Sequence, residues 1–223
     1  MKKKITLVVF ALLAICSLNV KAQDVPVEKK SPFTVGADFY SNYVWRGSLL
    51  GTGPAFQPTV KYNTGGLTIG VWGSFDAAGY AEADPYVSYA FSNGLSLGVT
   101  DYYYPRAGGS FASDSTNAVE INLGYTIKGL SLSANYILNA ASVAASKGKD
   151  KYFQASYAFT NFNLTVGAGD GWHTKDGKFN VCNLGIGTGK VIKITDSFSI
   201  PVTGQVIYNV DKNQMFMVVG FSL

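Results

Sequence analysis

The sequence predicts an all-β fold: a transmembrane, up-and-down antiparallel β-barrel of about twelve strands, with ten as the alternative. Three observations predict it. The stretch Gln214 to Leu223 alternates with period two, placing Met215, Met217, Val219, Phe221 and Leu223 on one apolar face. The same alternation recurs along the chain, separated by connections that are short and long in turn. Charged residues make up only 14% of the sequence, while Gly (25), Tyr (14) and Phe (14) are abundant. No apolar run after the first 22 residues is long enough for a membrane helix, which leaves strands as the spanning element.

Residues 1–22 have the form of a cleaved signal peptide. Lys2, Lys3 and Lys4 precede an apolar run from Ile5 to Leu18, and Val20-Lys21-Ala22 is a small-x-small cleavage site. Residues 23–31 form a short polar leader, and 32–223 form the barrel. Removing Lys2, Lys3, Lys4 and Lys21 from 18 basic residues leaves 14, which equals the 14 acidic ones. The formal charge of +4 therefore belongs to the signal peptide, and no nucleic-acid partner is implied. Cys16 leaves as well, so Cys182 has no intramolecular disulfide partner. One cysteine and one histidine, His173, do not make a protein zinc site, and no cofactor is expected.

Strand one is expected over about 33–46, with Phe33, Val35, Ala37, Phe39, Tyr43 and Trp45 facing lipid. Asp38, Asn42 and Arg46 share the opposite, lumen-facing parity. Further strands are expected at about 55–63, 66–76, 82–91, 95–105, 117–126, 129–138, 150–159, 162–170, 180–190, 197–208 and 213–223. In the sixth, Val119, Ile121, Leu123 and Tyr125 face out while Glu120, Asn122 and Gly124 face in. Gly185, Gly187 and Gly189 blur the phase of 180–190.

Asn63 to Gly66, Ser92 to Gly94, Ile127 to Gly129, Thr160-Asn161 and Thr195 to Ser197 carry tight-turn chemistry. The connections 47–54, 77–81, 106–116, 139–149 and 171–179 are longer, and 209–212 is a short exception. Outer-membrane barrels sort loops this way, so both termini are expected in the periplasm and the long loops outside. Aromatics fall into two bands, with Tyr43, Trp45, Phe56, Phe75 and Tyr103 near the outer ends of strands.

His173 sits in a loop with no Ser nearby in sequence to serve as nucleophile, so a lipid-hydrolase reading lacks a nucleophile–base pair. Gly185 to Lys190 lacks the P-loop spacing and no helix follows it, so small residues in a crowded interior explain it better. Tyr102 and Tyr104 face in, where they could stack on a sugar or aromatic solute or simply fill space. Glu82 and Asp84 enter strand four near the height of Arg46, with Glu120 close by. Two placements of Arg46 are open: facing these carboxylates across the lumen, or reaching to the outer interface or pairing locally in a loop.

The run Ser41 to Gly47, with Pro54 to Gln57, resembles the start of the TorF-like family of outer-membrane porins, with its S-x-Y-x-x-R-G form. Tyr102 to Pro105 and Ile200 to Gly204 with Tyr208-Asn209 are similar to that family's strand ends. The resemblance implies an outer-membrane barrel and supplies no catalytic residues. The expected function is passive diffusion of small solutes, with a closed structural or adhesive barrel as the rival. Expected partners are outer-membrane lipids and, through the C-terminal strand, the barrel-assembly machinery.

Overall fold

A computed structural model describes residues 31–105, 110–111 and 113–223. The expected signal peptide and nearly all of the expected leader lie outside the described residues, as do 106–109 and 112 of one long loop. The fold follows from the two-residue period: polar and apolar side chains on alternate positions need a sheet with two unlike faces. Such a sheet resolves its edges by closing on itself.

The chain runs β1 (Phe33–Tyr40), β2 (Tyr43–Trp45), β3 (Ser48–Leu50), β4 (Ala55–Thr64), β5 (Leu67–Asp76), β6 (Ala81–Ala90) and β7 (Leu95–Tyr103). It continues with β8 (Asn117–Ile127), β9 (Leu130–Ile137), β10 (Lys151–Ala158), β11 (Asn163–Gly169), β12 (Asn180–Lys193), β13 (Ser199–Asn209) and β14 (Gln214–Ser222). Each strand from β4 to β14 pairs antiparallel with the next, and β1 joins β4 on one side and β14 on the other. Twelve strands therefore make one closed barrel, and β2 and β3 form a separate two-stranded sheet. The seam closes through Asp38, Phe39 and Tyr40 opposite Ser222, Phe221 and Gly220. Ala37 and Leu223 exchange backbone hydrogen bonds of 3.1 and 2.9 Å at its end.

Outside, the surface is apolar. Val35 is 75% exposed and Met217 74%, with Val60, Leu97, Leu123, Val166 and Ile186 exposed on other strands. Inside, Gln57, Ser74, Glu82, Asp84, Glu120, Asn135 and Asn183 are buried. This inverts the usual distribution of a folded protein.

One end carries the tight turns and the other the long loops. At the loop end the interior is packed: Tyr102, Ala118, Ile137 and Ala141 form a small core that Trp45, Tyr104, Ala144 and Trp172 extend. The loops are tied down by side chains. Asn139 accepts from Val119 N–H and donates to Asn117 C=O, and Lys151 N–H donates to Asp170.

Two expectations need correction. Strand one does not run to residue 46; it ends at Tyr40, and the chain turns inward to make the β2–β3 hairpin. Tyr43 and Trp45 are consequently not in a lipid-facing girdle: Tyr43 is buried against Trp72 and Tyr80, and Trp45 against Tyr102 and Trp172. A two-residue period looks the same whether a strand continues or folds back after a bend. Asp101 lies in β7, whose register with β8 runs without a shift, and Asn117 Nδ2 donates to its carboxylate at 2.8 Å.

Candidate functional site

The hairpin β2–β3 is the element that organises the lumen. Tyr43, Val44 and Trp45 pair with Leu50, Leu49 and Ser48, leaving Arg46-Gly47 as a two-residue turn. Both turn residues have positive φ, 50° and 82°, as a type I′ hairpin requires. Glycine adopts this freely; for Arg46 the left-handed backbone costs about 1 kcal/mol. Gly47 is needed for a second reason: any Cβ there would overlap the carbonyl oxygen of Cys182. β12 presents that carbonyl at a bulge, where the register with β11 shifts between Gly167 and Ala168. Asn209 Nδ2 donates to the Gly47 carbonyl at 2.9 Å, and Lys212 Nζ donates to Ser48 Oγ at 2.9 Å.

The turn aims Arg46 at the opposite wall. Its Nη1 and Nη2 donate to the two carboxylate oxygens of Glu120 at 2.7 and 2.8 Å. The guanidinium also lies over the rings of Trp45 and Tyr152, 4.4 and 4.5 Å from their centroids. Glu120 accepts two more bonds, from Tyr102 Oη at 2.9 Å and Asn122 Nδ2 at 2.6 Å. The side chains are 11% and 1% exposed, so the pair is shielded from water. Removing one member of such a pair leaves a buried uncompensated charge, at a cost of about 3–5 kcal/mol.

The other residues singled out from the sequence fall in different places. Glu82 does not meet Arg46; it accepts from Tyr80 Oη at 2.7 Å, and the hydroxyls of Tyr104 and Tyr43 face the same carboxylate. Asp84, two residues along β6, is 4% exposed, and its Oδ1 has no hydrogen-bond partner among the described residues. Asp38 stands in β1 opposite Gln57 and Ser222, and Asn42 lies in the bend that leads into the hairpin. Tyr102 packs on Trp45 and Trp172.

Trp45 lines two chambers, so the hairpin is the wall between them. The turn-end chamber, about 380 Å³, is lined by polar side chains such as Asn135, Gln154, Asn163, Asn183 and Gln205, under a roof of Arg46. The loop-end chamber, about 360 Å³, is lined chiefly by Trp45, Tyr80, Tyr104, Val143, Ala144 and Trp172. Beside it the one-turn 3-10 helix Gly171–His173 buries the histidine, and Trp172 Nε1–H donates to His173 Nε2 at 2.7 Å. An accepting Nε2 means a neutral ring. Burial, with the nearby Arg46 and Lys212 cations, accordingly pushes the imidazole from 6.5 down to about 2.

Sequence reasoning missed Tyr152, Asn209, Lys212 and Trp172 as partners of the hairpin. They come from loop ends and distant strands, and nothing in their local sequence marks them. The hairpin itself carried a signal in Arg46-Gly47 between the runs Tyr43-Val44-Trp45 and Ser48-Leu49-Leu50.

A closed antiparallel barrel of twelve strands with a polar interior crossed by an internal hairpin defines the class of protein. Residues 27–195 match the bacterial family of unknown function designated Gcw_chp, and the chain belongs to it. No curated protein matches the chain. Among solved structures it is similar to mutants of the Rhodopseudomonas blastica porin, two of them at 17% and 16% identity, each with a TM-score of 0.44. These alignments cover 76% of this chain, which spans 55% of the length of the porin.

Proposed function

We propose that the barrel spans a bacterial outer membrane and passes small polar solutes, with the β2–β3 hairpin as its internal constriction. The observation that carries this reading is the inverted surface: apolar side chains all round the outside, polar and charged ones within. Strand length fits as well. The ten residues of β5 extend about 33 Å, which at a tilt of about 40° spans about 25 Å, the height of an outer-membrane apolar band. The resemblance of Ser41 to Gly47 to TorF-like porins points the same way, and that run is the hairpin's own entry and turn. The hydrolase alternative is weakened because the Nε2 of His173 is occupied by Trp172.

In this mechanism the solute passes the Arg46–Glu120 lock, and the charges there set ion preference. Replacing Arg46 with glutamate would free Glu120 on a wall that already holds Glu82 and Asp84. The Arg46→Glu variant, inserted and heat-modifiable, should shift its reversal potential in planar bilayers towards cations. An unchanged reversal potential in a conducting variant would show that Arg46 does not line the constriction.

A further inference from the structure

The two chambers differ in chemistry. The turn-end chamber offers amides and hydroxyls from all sides. The loop-end chamber offers rings, Trp45, Tyr80, Tyr104 and Trp172, with Val143 and Ala144 also in its lining. Its hydrogen-bonding capacity is largely spent. Tyr80 Oη donates to Glu82, Tyr104 faces the same carboxylate, and Ser48 accepts from Lys212. A sugar would find few partners for its hydroxyls here.

Behind the tyrosines stand two carboxylates with no counter-cation among the described residues. Glu82 and Asp84 are 1% and 4% exposed, and among the described residues neither lies in an ion pair. Asp84 Oδ1 lacks even a hydrogen bond. Buried carboxylates are costly in that state. Aromatic faces attract cations, most strongly where water is excluded. Among the described residues, two cations lie nearby. Arg46 is neutralised by Glu120 and faces the turn-end chamber, and Lys212 is held on the hairpin side at Ser48, whereas the acids lie on the β6 side.

We propose that the loop-end chamber binds a compact organic cation, a quaternary ammonium or protonated amine. The rings would enclose the head group, and Glu82 with Asp84 would supply the counter-charge. This deepens the channel reading by naming a solute class, but its test needs only the folded barrel.

The test titrates the purified full-length protein in detergent with choline chloride, following tryptophan fluorescence at constant ionic strength. Neohexyl alcohol, the neutral carbon isostere of choline, is the control. Choline should give a saturable change, with the isostere at least tenfold weaker. Trp172→Leu and Glu82→Gln should each weaken choline binding by about tenfold, while Gln205→Ala in the other chamber should leave it unchanged. No saturable change, equal affinity for the isostere, or wild-type affinity in Trp172→Leu would each overturn the proposal. Trp172→Leu decides the matter if Glu82→Gln loses its heat-modifiable fold. Conductance of the same preparation is read separately. A barrel that conducts without binding choline overturns this inference alone, and one that binds choline without conducting overturns the channel reading alone.

Discussion

Arg46 stands in a backbone conformation that glycine would take more cheaply, and the structure shows what offsets the cost: two charge-assisted bonds to Glu120 and two ring faces. The side chain was legible in the sequence through its inward parity with Asp38 and Asn42. Its choice of Glu120 over Glu82 and Asp84 was not, because 74 residues separate the partners and only the barrel closure brings them together. His173 is the second residue with a measurable consequence. Its folded value is depressed to about 2 from 6.5, so the stability its burial confers is fully present above pH 6.5 and is lost as pH falls below it. At pH 4.5 the packed state of the 171–179 loop should have lost about 2–3 kcal/mol relative to neutral pH. Tryptophan emission should shift to the red over that interval in the wild type and not in His173→Gln, which keeps an acceptor for Trp172 without titrating. Identical pH profiles for the two proteins would show that the histidine does not hold the loop.

At the scale of elements, the barrel strands were the most legible feature, since their alternation and turn residues agreed position by position. The hairpin was not. Tyr43 and Trp45 continue the parity of β1, and a period count cannot see that Ser41-Asn42 bends the chain into the lumen. Nor could the sequence show that the glycine of the turn rests on a bulge in β12, since a bulge depends on the register of two strands. The loops carry the prediction of topology. Lys147 is exposed at the loop end, whereas its neighbour Ser146 is buried and bonded to Asp150. A Lys147→Cys variant should therefore react with an impermeant maleimide on intact cells, and Lys128→Cys, at a tight turn of the opposite end, should react only after permeabilisation. Labelling of Lys128→Cys alone would invert the orientation.

For the whole molecule, the sequence carried the class because most strands follow one rule, apolar outside and polar inside. It did not carry the division of the interior, which depends on one hairpin meeting four distant strands and loops. The central claim is that this hairpin constricts a conducting barrel. Its most direct test replaces residues 43–50 with a short Gly-Ser connection and compares single-channel conductance with the wild type in planar bilayers. The account predicts an inserted, heat-modifiable barrel whose conductance rises severalfold and whose ion preference becomes more cationic. A folded, inserted variant with unchanged conductance, or with none, would contradict it.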